Sequence, residues 1–250
     1  MQIVAFISGK GGVGKSTLAS NVAVGLSVRG KRVLVIDLDP QNIQRLHMGM
    51  DPDEIAGLAR EGISDSSVFD SPFGVRFIPF GRLQDGELVE FEHHLRQHPD
   101  WVKSGIAALD PDAYDFVLID TPPGATNYLQ QALHAAHRAL VVLLADAASF
   151  ATVSRIMDLI DTHTLHNPDF AGRHIVLNQM PLRSKLSHQV RNTLIAHYGN
   201  LVVPVSIRRD VGVPQALAFE RPVLQYEPSC AASQGLQAVA DWLIDCTEDT

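Results

Sequence analysis

Two adjoining runs near the start decide how this chain is read: Ile3-Val4-Ala5-Phe6-Ile7-Ser8, and then Gly9-Lys10-Gly11-Gly12-Val13-Gly14-Lys15-Ser16-Thr17. The first is a short apolar run of the kind that forms a buried strand. The second fits G-x-x-x-x-G-K-[ST] from Gly9 to Ser16. Its glycines leave backbone N–H groups uncovered, so they can converge on phosphate oxygens. The helix that follows points its positive end at the same anion. In this pattern Lys15 reaches the β- and γ-phosphates and the Ser16 hydroxyl binds Mg²⁺. Lys10 is not required by the pattern. It is either a surface lysine at a turn or a cation that reaches outward to a nucleotide held by another subunit.

Working outward from the loop, Leu18, Val22 and Leu26 recur every fourth residue, one apolar stripe on a helix that runs to about Arg29 and stops at Gly30. Arg32 to Asp37 and Tyr114 to Asp120 are continuous apolar runs that close on aspartate, as expected of strands covered on both faces. Further strands are predicted over 75–79, 139–144, 174–178 and 201–205. Helices are predicted over 84–98, 127–137, 151–163, 185–198 and 232–246, with a weakly helical stretch over 53–61 and a further turn or two after Pro99 up to Leu109. Strands alternating with helices give parallel crossover units, hence an α/β fold: a doubly wound, mostly parallel sheet with helices on both faces. At 250 residues, one domain over 1–250 is expected.

Composition narrows the function classes. Hydrophobic content of 46% with 19% charged residues is ordinary for a globular chain. No apolar stretch approaches a membrane span or a signal-peptide core, so a cytoplasmic protein is expected. A net charge of −8 argues against a broad nucleic-acid footprint, Arg208-Arg209 being one local exception. Cys230 and Cys246 are too few for a disulfide framework and are not spaced like metal ligands. His94 and His98 are four apart on a predicted helix, yet no third ligand accompanies them, so they read with His93 as a solvated face.

Ligands in doubly wound sheets bind beyond the carboxyl ends of the strands. Asp37, Asp39, Asp120 and Asn178 all fall at such ends. Asp120 follows four apolar strand residues, as the aspartate that holds a metal-bound water does in phosphate-loop nucleotidases; it alternatively caps a helix or turn after the strand. Asp37 and Asp39 flank one residue, so in extended chain both carboxylates face one side. Asp39-Pro40 alternatively starts a plain turn. The amide of Asn178 can donate and accept at once, which suits the edge of a base; it is alternatively an ordinary strand-end asparagine.

Lys10-Gly11-Gly12-Val13-Gly14-Lys15-Ser16-Thr17 resembles the deviant Walker A motif of the ParA/MinD family of dimerising ATPases. The resemblance implies ATP and Mg²⁺ as ligands, contacts from the whole loop Gly9 to Thr17, and a homodimer closed by ATP in which Lys10 contacts the partner's phosphates. It makes Asp37-Leu38-Asp39-Pro40-Gln41 a first switch, with Asp39 positioning the attacking water beside the lysines and Asp37 near the metal with Ser16 and Asp120. Thr121-Pro122-Pro123-Gly124 matches the second switch, and Asn178 matches a base-reading asparagine. Ile207-Arg208-Arg209-Asp210 resembles a family loop in which a proline stands where this chain has Arg208.

Three branches of that family are weighed. A partition ATPase binds DNA through basic residues, whereas this chain is acidic and its loop begins at Gly9. A division-site ATPase ends in a basic amphipathic helix on membrane. Here Leu236, Val239, Ala240, Leu243 and Ile244 form an apolar stripe, but no lysine or arginine follows Arg221 and the tail ends Glu248-Asp249-Thr250. That stripe is therefore expected to pack on the sheet. The cellulose-biosynthesis branch matches best, over Asn42 to Leu46, Ile78 to Leu83 and Ile207 to Val223. It implies a nucleotide-switched component of a bacterial cellulose-secretion system. Such a component works with a small accessory protein and is brought to the inner-membrane face or the cell pole by partners, without a membrane anchor of its own.

Overall fold

The structure, a computed structural model, describes residues 1–248; Asp249, counted above in the acidic tail, lies outside them. The elements run β1 (Gln2–Ile7), α1 (Lys15–Val28), β2 (Val33–Asp37), α2 (Gln44–His47), α3 (Leu58–Glu61), β3 (Phe69–Asp70), β4 (Arg76–Ile78), α4 (Asp85–Gln97), α5 (Trp101–Ala107), β5 (Phe116–Asp120), α6 (Asn127–Ala135), β6 (Arg138–Leu144), α7 (Ala147–Thr164), β7 (Gly172–Met180), α8 (Lys185–Tyr198), β8 (Val202–Arg208), α9 (Gly212–Ala218), α10 (Val223–Tyr226) and α11 (Ala231–Glu248).

The eight strands form one sheet in the order β3-β4-β2-β5-β1-β6-β7-β8. Every pairing is parallel except β3 with β4. From β1 the chain travels out to β2 and β4, returns through β5, and then travels the other way through β6, β7 and β8. The direction of winding therefore reverses beside β1, and the loop after β1 opens onto the crevice that such a reversal leaves.

The strands are apolar throughout because each face has its own core. On β1, Ile3, Ala5 and Ile7 enter one cluster and Val4 and Phe6 the other; on β5, Val117 and Ile119 part from Phe116 and Leu118 in the same way. The first cluster is closed by residues of α4 to α8, such as Leu95, Val102, Leu129, Ile156 and Leu194. The second is closed by α1 and α11 through Leu18, Val22, Leu26, Leu236, Val239 and Leu243. The terminal apolar stripe thus packs inward. α11 crosses α1 so closely that a Cβ on Gly25 would meet the Ala240 Cβ at 2.9 Å.

Several boundaries differ from those expected. The helix predicted from residue 151 begins at Ala147, because Asp146 caps it by accepting from the Ser149 N–H. The stretch 53–61 is helical only over Leu58–Glu61. β8 runs on to Arg208, so Ile207 and Arg208 belong to a strand rather than a loop. β3, α2, α9 and α10 had no signature in the periodicity. His93, His94 and His98 are exposed, as expected of a solvated face.

Candidate functional site

The glycine loop joins β1 to α1. Gly14 takes the cap position of α1 with φ 84, a left-handed backbone, and a Cβ there would lie 2.6 Å from Asn178 Nδ2. Gly12, also left-handed at φ 75, faces open space. The loop is braced from β7: Asn178 Nδ2 donates to the Val13 carbonyl (2.8 Å) and Gln179 Nε2 to the Gly12 carbonyl (3.3 Å). With those carbonyls held from behind, the N–H groups are left for an anion in front. The Asn178 side chain also accepts from the Gln179 N–H, so its amide serves the main chain here while it lines the adjacent cavity. Gln179 has φ 52, an uncommon backbone for a side-chain-bearing residue, and it occurs at the site.

At the foot of the loop, Lys15 is only 6% exposed and its Nζ donates to Asp120 Oδ1 at 2.7 Å. Asp120, the residue expected to hold a metal-bound water, has Lys15 as the direct partner of its Oδ1. Asp37 is paired in register with Asp120 across β2 and β5, so the two buried carboxylates stand side by side. Asp37 Oδ1 accepts from the Asp39 N–H at 2.9 Å. Asp37 Oδ2 and Asp120 Oδ2 are buried without a hydrogen-bond partner among the described residues. Burial above all, and the neighbouring Asp120 second, push the Asp37 carboxyl well above the usual carboxylate range. Burial raises Asp39 as well, against the Gln41 N–H that its Oδ1 accepts.

Two uncommitted buried carboxylate oxygens, and the hydroxyl of Ser16 next in sequence to Lys15, are hard donors of the kind that suit Mg²⁺. Ser16, Lys15, Lys10, Gly11, Gly12, Thr17, Asp39 and Pro123 line a cavity of about 500 Å³. It shares Gly14, Thr17 and Leu217 with a second cavity of about 620 Å³, lined on its far side by Pro181, Leu182, Arg209, Val213, Pro214 and Leu236. Both are lined mainly by apolar surface; the first carries Lys10 and Lys15, and the second adds Arg208, Arg209 and Asp210.

The loop therefore has the parts of a nucleotide cradle, and the comparisons agree. Residues 1–244 match the family described as Cellulose biosynthesis protein BcsQ. The chain belongs to the BcsQ family. With it, the chain belongs to the ParA/MinD group of P-loop ATPases. It is similar to the chromosome partitioning protein ParA of Caulobacter vibrioides strain NA1000 / CB15N, at 30% identity over 259 residues, covering 100% of this chain and 96% of that one. It is also similar to the cellulose biosynthesis protein BcsQ of Escherichia coli strain K12, at 27% identity, covering 94% and 91% respectively. Among solved structures, cobyrinic acid a,c-diamide synthase from Mycobacterium smegmatis, with bound ATP analog and magnesium, superposes with TM-score 0.82 at 22% identity, covering 98% of this chain and 94% of that one. Pyrococcus furiosus cell division ATPase MinD superposes with TM-score 0.78 at 23% identity, covering 98% and 99%. At those identities the superpositions establish the P-loop fold.

Within this BcsQ-family site, the second lysine is not free. Lys10 Nζ donates to both Asp146 oxygens, at 3.1 and 2.8 Å, across the cap of α7. Three residues unread in the sequence also reach the loop or its helix: Gln179, Gln44 and His47. His47 is 2% exposed, and burial pushes its imidazole down to about 4. Its position three residues after Gln44 was the available signal, since that spacing puts both on one face of a helical turn.

Proposed function

We propose that this BcsQ-family protein is an ATP- and Mg²⁺-binding switch that hydrolyses ATP slowly and with partner stimulation, and closes into a homodimer when ATP is bound. In this reading it supports assembly or localisation of a bacterial cellulose biosynthesis and secretion complex. One observation carries it: the buried Lys15–Asp120 pair under an open glycine loop, with two unpartnered carboxylate oxygens beside it. A solvent-facing turn has no use for such an arrangement, because buried charges are costly unless a ligand or a counter-charge needs them.

The chain's residues divide the work as follows. The N–H groups from Gly11 to Thr17 cradle the phosphates, and Lys15 supplies positive charge to them. Ser16, Asp37 and Asp120 hold Mg²⁺, which when bound supplies charge neutralisation at the phosphate oxygens. Asp39, at the mouth of the cavity and made more basic by burial, orients the attacking water. Asn178 and Gln179 fix the loop from behind, and the apolar cavity beyond Gly14 receives the base. Lys10, once released from Asp146, reaches the partner's nucleotide. Partners, including a small accessory protein, bring the protein from the cytoplasm to the inner-membrane face or the pole. No helix among the described residues is long and apolar enough to cross a membrane.

A second reading, a partition ATPase that positions DNA or another cargo, is favoured by the 30% identity to the Caulobacter vibrioides ParA over the whole chain. Deletion of the gene separates the two. Loss of cellulose output with normal DNA segregation supports the first reading; mis-segregated DNA with normal cellulose supports the second. Asp39→Ala tests the switch, with ATP-bound dimer retained and phosphate release lost.

A further inference from the structure

One polar seam beside the nucleotide cradle plays no part in the mechanism above. Thr17 and Ser20 lie one turn apart on α1, and Gln44 and His47 one turn apart on α2. They meet as two rungs: His47 Nε2 lies 3.2 Å from Thr17 Oγ1, and Gln44 Oε1 accepts from Ser20 Oγ at 2.7 Å. Ser20, Gln44 and His47 are almost wholly buried. α2 is a helix of four residues, too short to persist by itself, and it carries on directly from the Asp37–Gln41 loop.

The tautomer of His47 follows from what surrounds it. Its Nδ1 is buried without a hydrogen-bond partner among the described residues. A buried lone pair is less costly to leave unmet than a buried N–H. The proton therefore belongs on Nε2, which donates to Thr17 Oγ1. A hydroxyl that accepts from behind keeps its own proton for an acceptor in front. In front of Thr17 lies the cavity it shares with Lys15 and Ser16, and His47 lines that cavity too.

We infer that His47 is a positioning residue of the nucleotide site: it holds the Thr17 hydroxyl with its proton turned toward a phosphate oxygen and ties the segment after Asp39 to the helix that carries the phosphates. The inference rests on the reading of the loop as a nucleotide site. A purely structural His47 would need only to fill the space between α2 and α1, and the orientation of the Thr17 proton would not matter to it.

The test is the affinity for ADP with Mg²⁺, by titration calorimetry, together with the melting temperature of the nucleotide-free protein. His47→Leu and Thr17→Val are each expected to weaken binding about tenfold, the order of one hydrogen bond to a charged group. The double variant is expected to lose no more than Thr17→Val alone, because His47 acts through that hydroxyl. His47→Gln, whose Nε2 reaches the same place, is expected to bind within about threefold of wild type by the same scale. The inference is overturned if His47→Leu binds like wild type, or if the two losses multiply toward about a hundredfold as independent sites do. If wild type itself binds neither ADP nor ATP, the nucleotide reading fails, and this inference with it. A wild type that binds beside an unaffected His47→Leu refutes this inference alone.

Discussion

Replacing Lys15 with alanine should unfold this protein as readily as it empties its site. The Lys15–Asp120 pair is buried on both sides, 6% and 0% exposed at 2.7 Å. Removing the lysine leaves the Asp120 and Asp37 carboxylates adjacent, dry and without a cation. Losing one partner of a buried pair costs about 3–5 kcal/mol. In a chain of this length each kcal/mol moves the melting temperature by about 2–4 °C, so a fall of about 10 °C is expected without nucleotide. The pH dependence has a definite sign. Asp37 is already raised in the folded state, by burial and then by Asp120, and Lys15 is one of the groups that pulls it back down. A carboxyl raised in the folded state contributes stability that is lost as pH rises above its unfolded value, about 3.9. The deficit of Lys15→Ala should therefore be larger at pH 8 than at pH 5. Asp120→Asn in the same chain removes one of the stranded charges and should restore most of the loss. Circular dichroism melts of the three proteins, free of nucleotide and Mg²⁺, decide it. A Lys15→Ala protein melting within about 2 °C of wild type, or a double variant no better than the single, would refute the argument.

Asp146→Ser keeps a cap for the Ser149 N–H but frees Lys10 from its ion pair. The partly exposed pair is worth about 0.5–1 kcal/mol, so if the proposed dimer forms, the ATP concentration that half-populates it should fall about two- to fivefold in sedimentation. An unchanged midpoint means that Asp146 does not restrain the lysine. Gly57→Ala places a Cβ 2.3 Å from the Gly81 nitrogen, backbone against backbone, and should cost about 3 kcal/mol in urea unfolding. Gly62→Ala meets nothing within 4 Å and should cost about 2 kcal/mol from its backbone alone, because φ 76 with ψ −175 is a region almost confined to glycine. Acid should destabilise the fold between pH 6.5 and 4. His47 and His174 are both pushed down to about 4, largely by burial, and a base depressed in the folded state gives stability that is present above 6.5 and lost on acidification. For His47 the full loss is of order 3 kcal/mol, and His47→Gln should flatten the curve of urea midpoint against pH.

What the sequence made legible was what local physics determines. Four apolar residues closing on aspartate, as in β2 and β5, read as a buried parallel strand once crossover helices flank them, and the apolar run of β1 reads the same way through the glycine loop and helix that follow it. The stretch around the loop needed no tertiary knowledge, because its glycines and its neighbours specify each other. Elements that owe their existence to tertiary contact were illegible. β3 is two residues long and exists because Phe69 pairs antiparallel with Phe77. α2 exists because polar rungs tie it to α1. Site partners were lost for a related reason. Nothing near Lys10 announces Asp146, 136 residues away, and nothing near Thr17 announces His47. The capping role of Asp146 was readable in principle from Asp146-Ala147-Ala148-Ser149, an acceptor three residues before the N–H it satisfies.

The two lysines of the loop share one electrostatic situation. Both are the cations a nucleotide would meet, and both are already matched to a carboxylate, Lys15 to Asp120 and Lys10 to Asp146. A phosphate arriving at Lys15 does not add an ion pair; it exchanges one. That exchange is favourable only if the displaced Asp120, with Asp37 dry beside it, finds another positive charge, since two buried carboxylates cannot both stay ionised at close range. Mg²⁺ accompanying the nucleotide is the charge that fits the two uncommitted oxygens. At Lys10 the exchange is softer, because Asp146 is 41% exposed and water can take over when the lysine leaves. In the proposed dimer, the buried pair would couple Lys15 to the ligand of its own chain, and the exposed pair would leave Lys10 to be taken by the partner's.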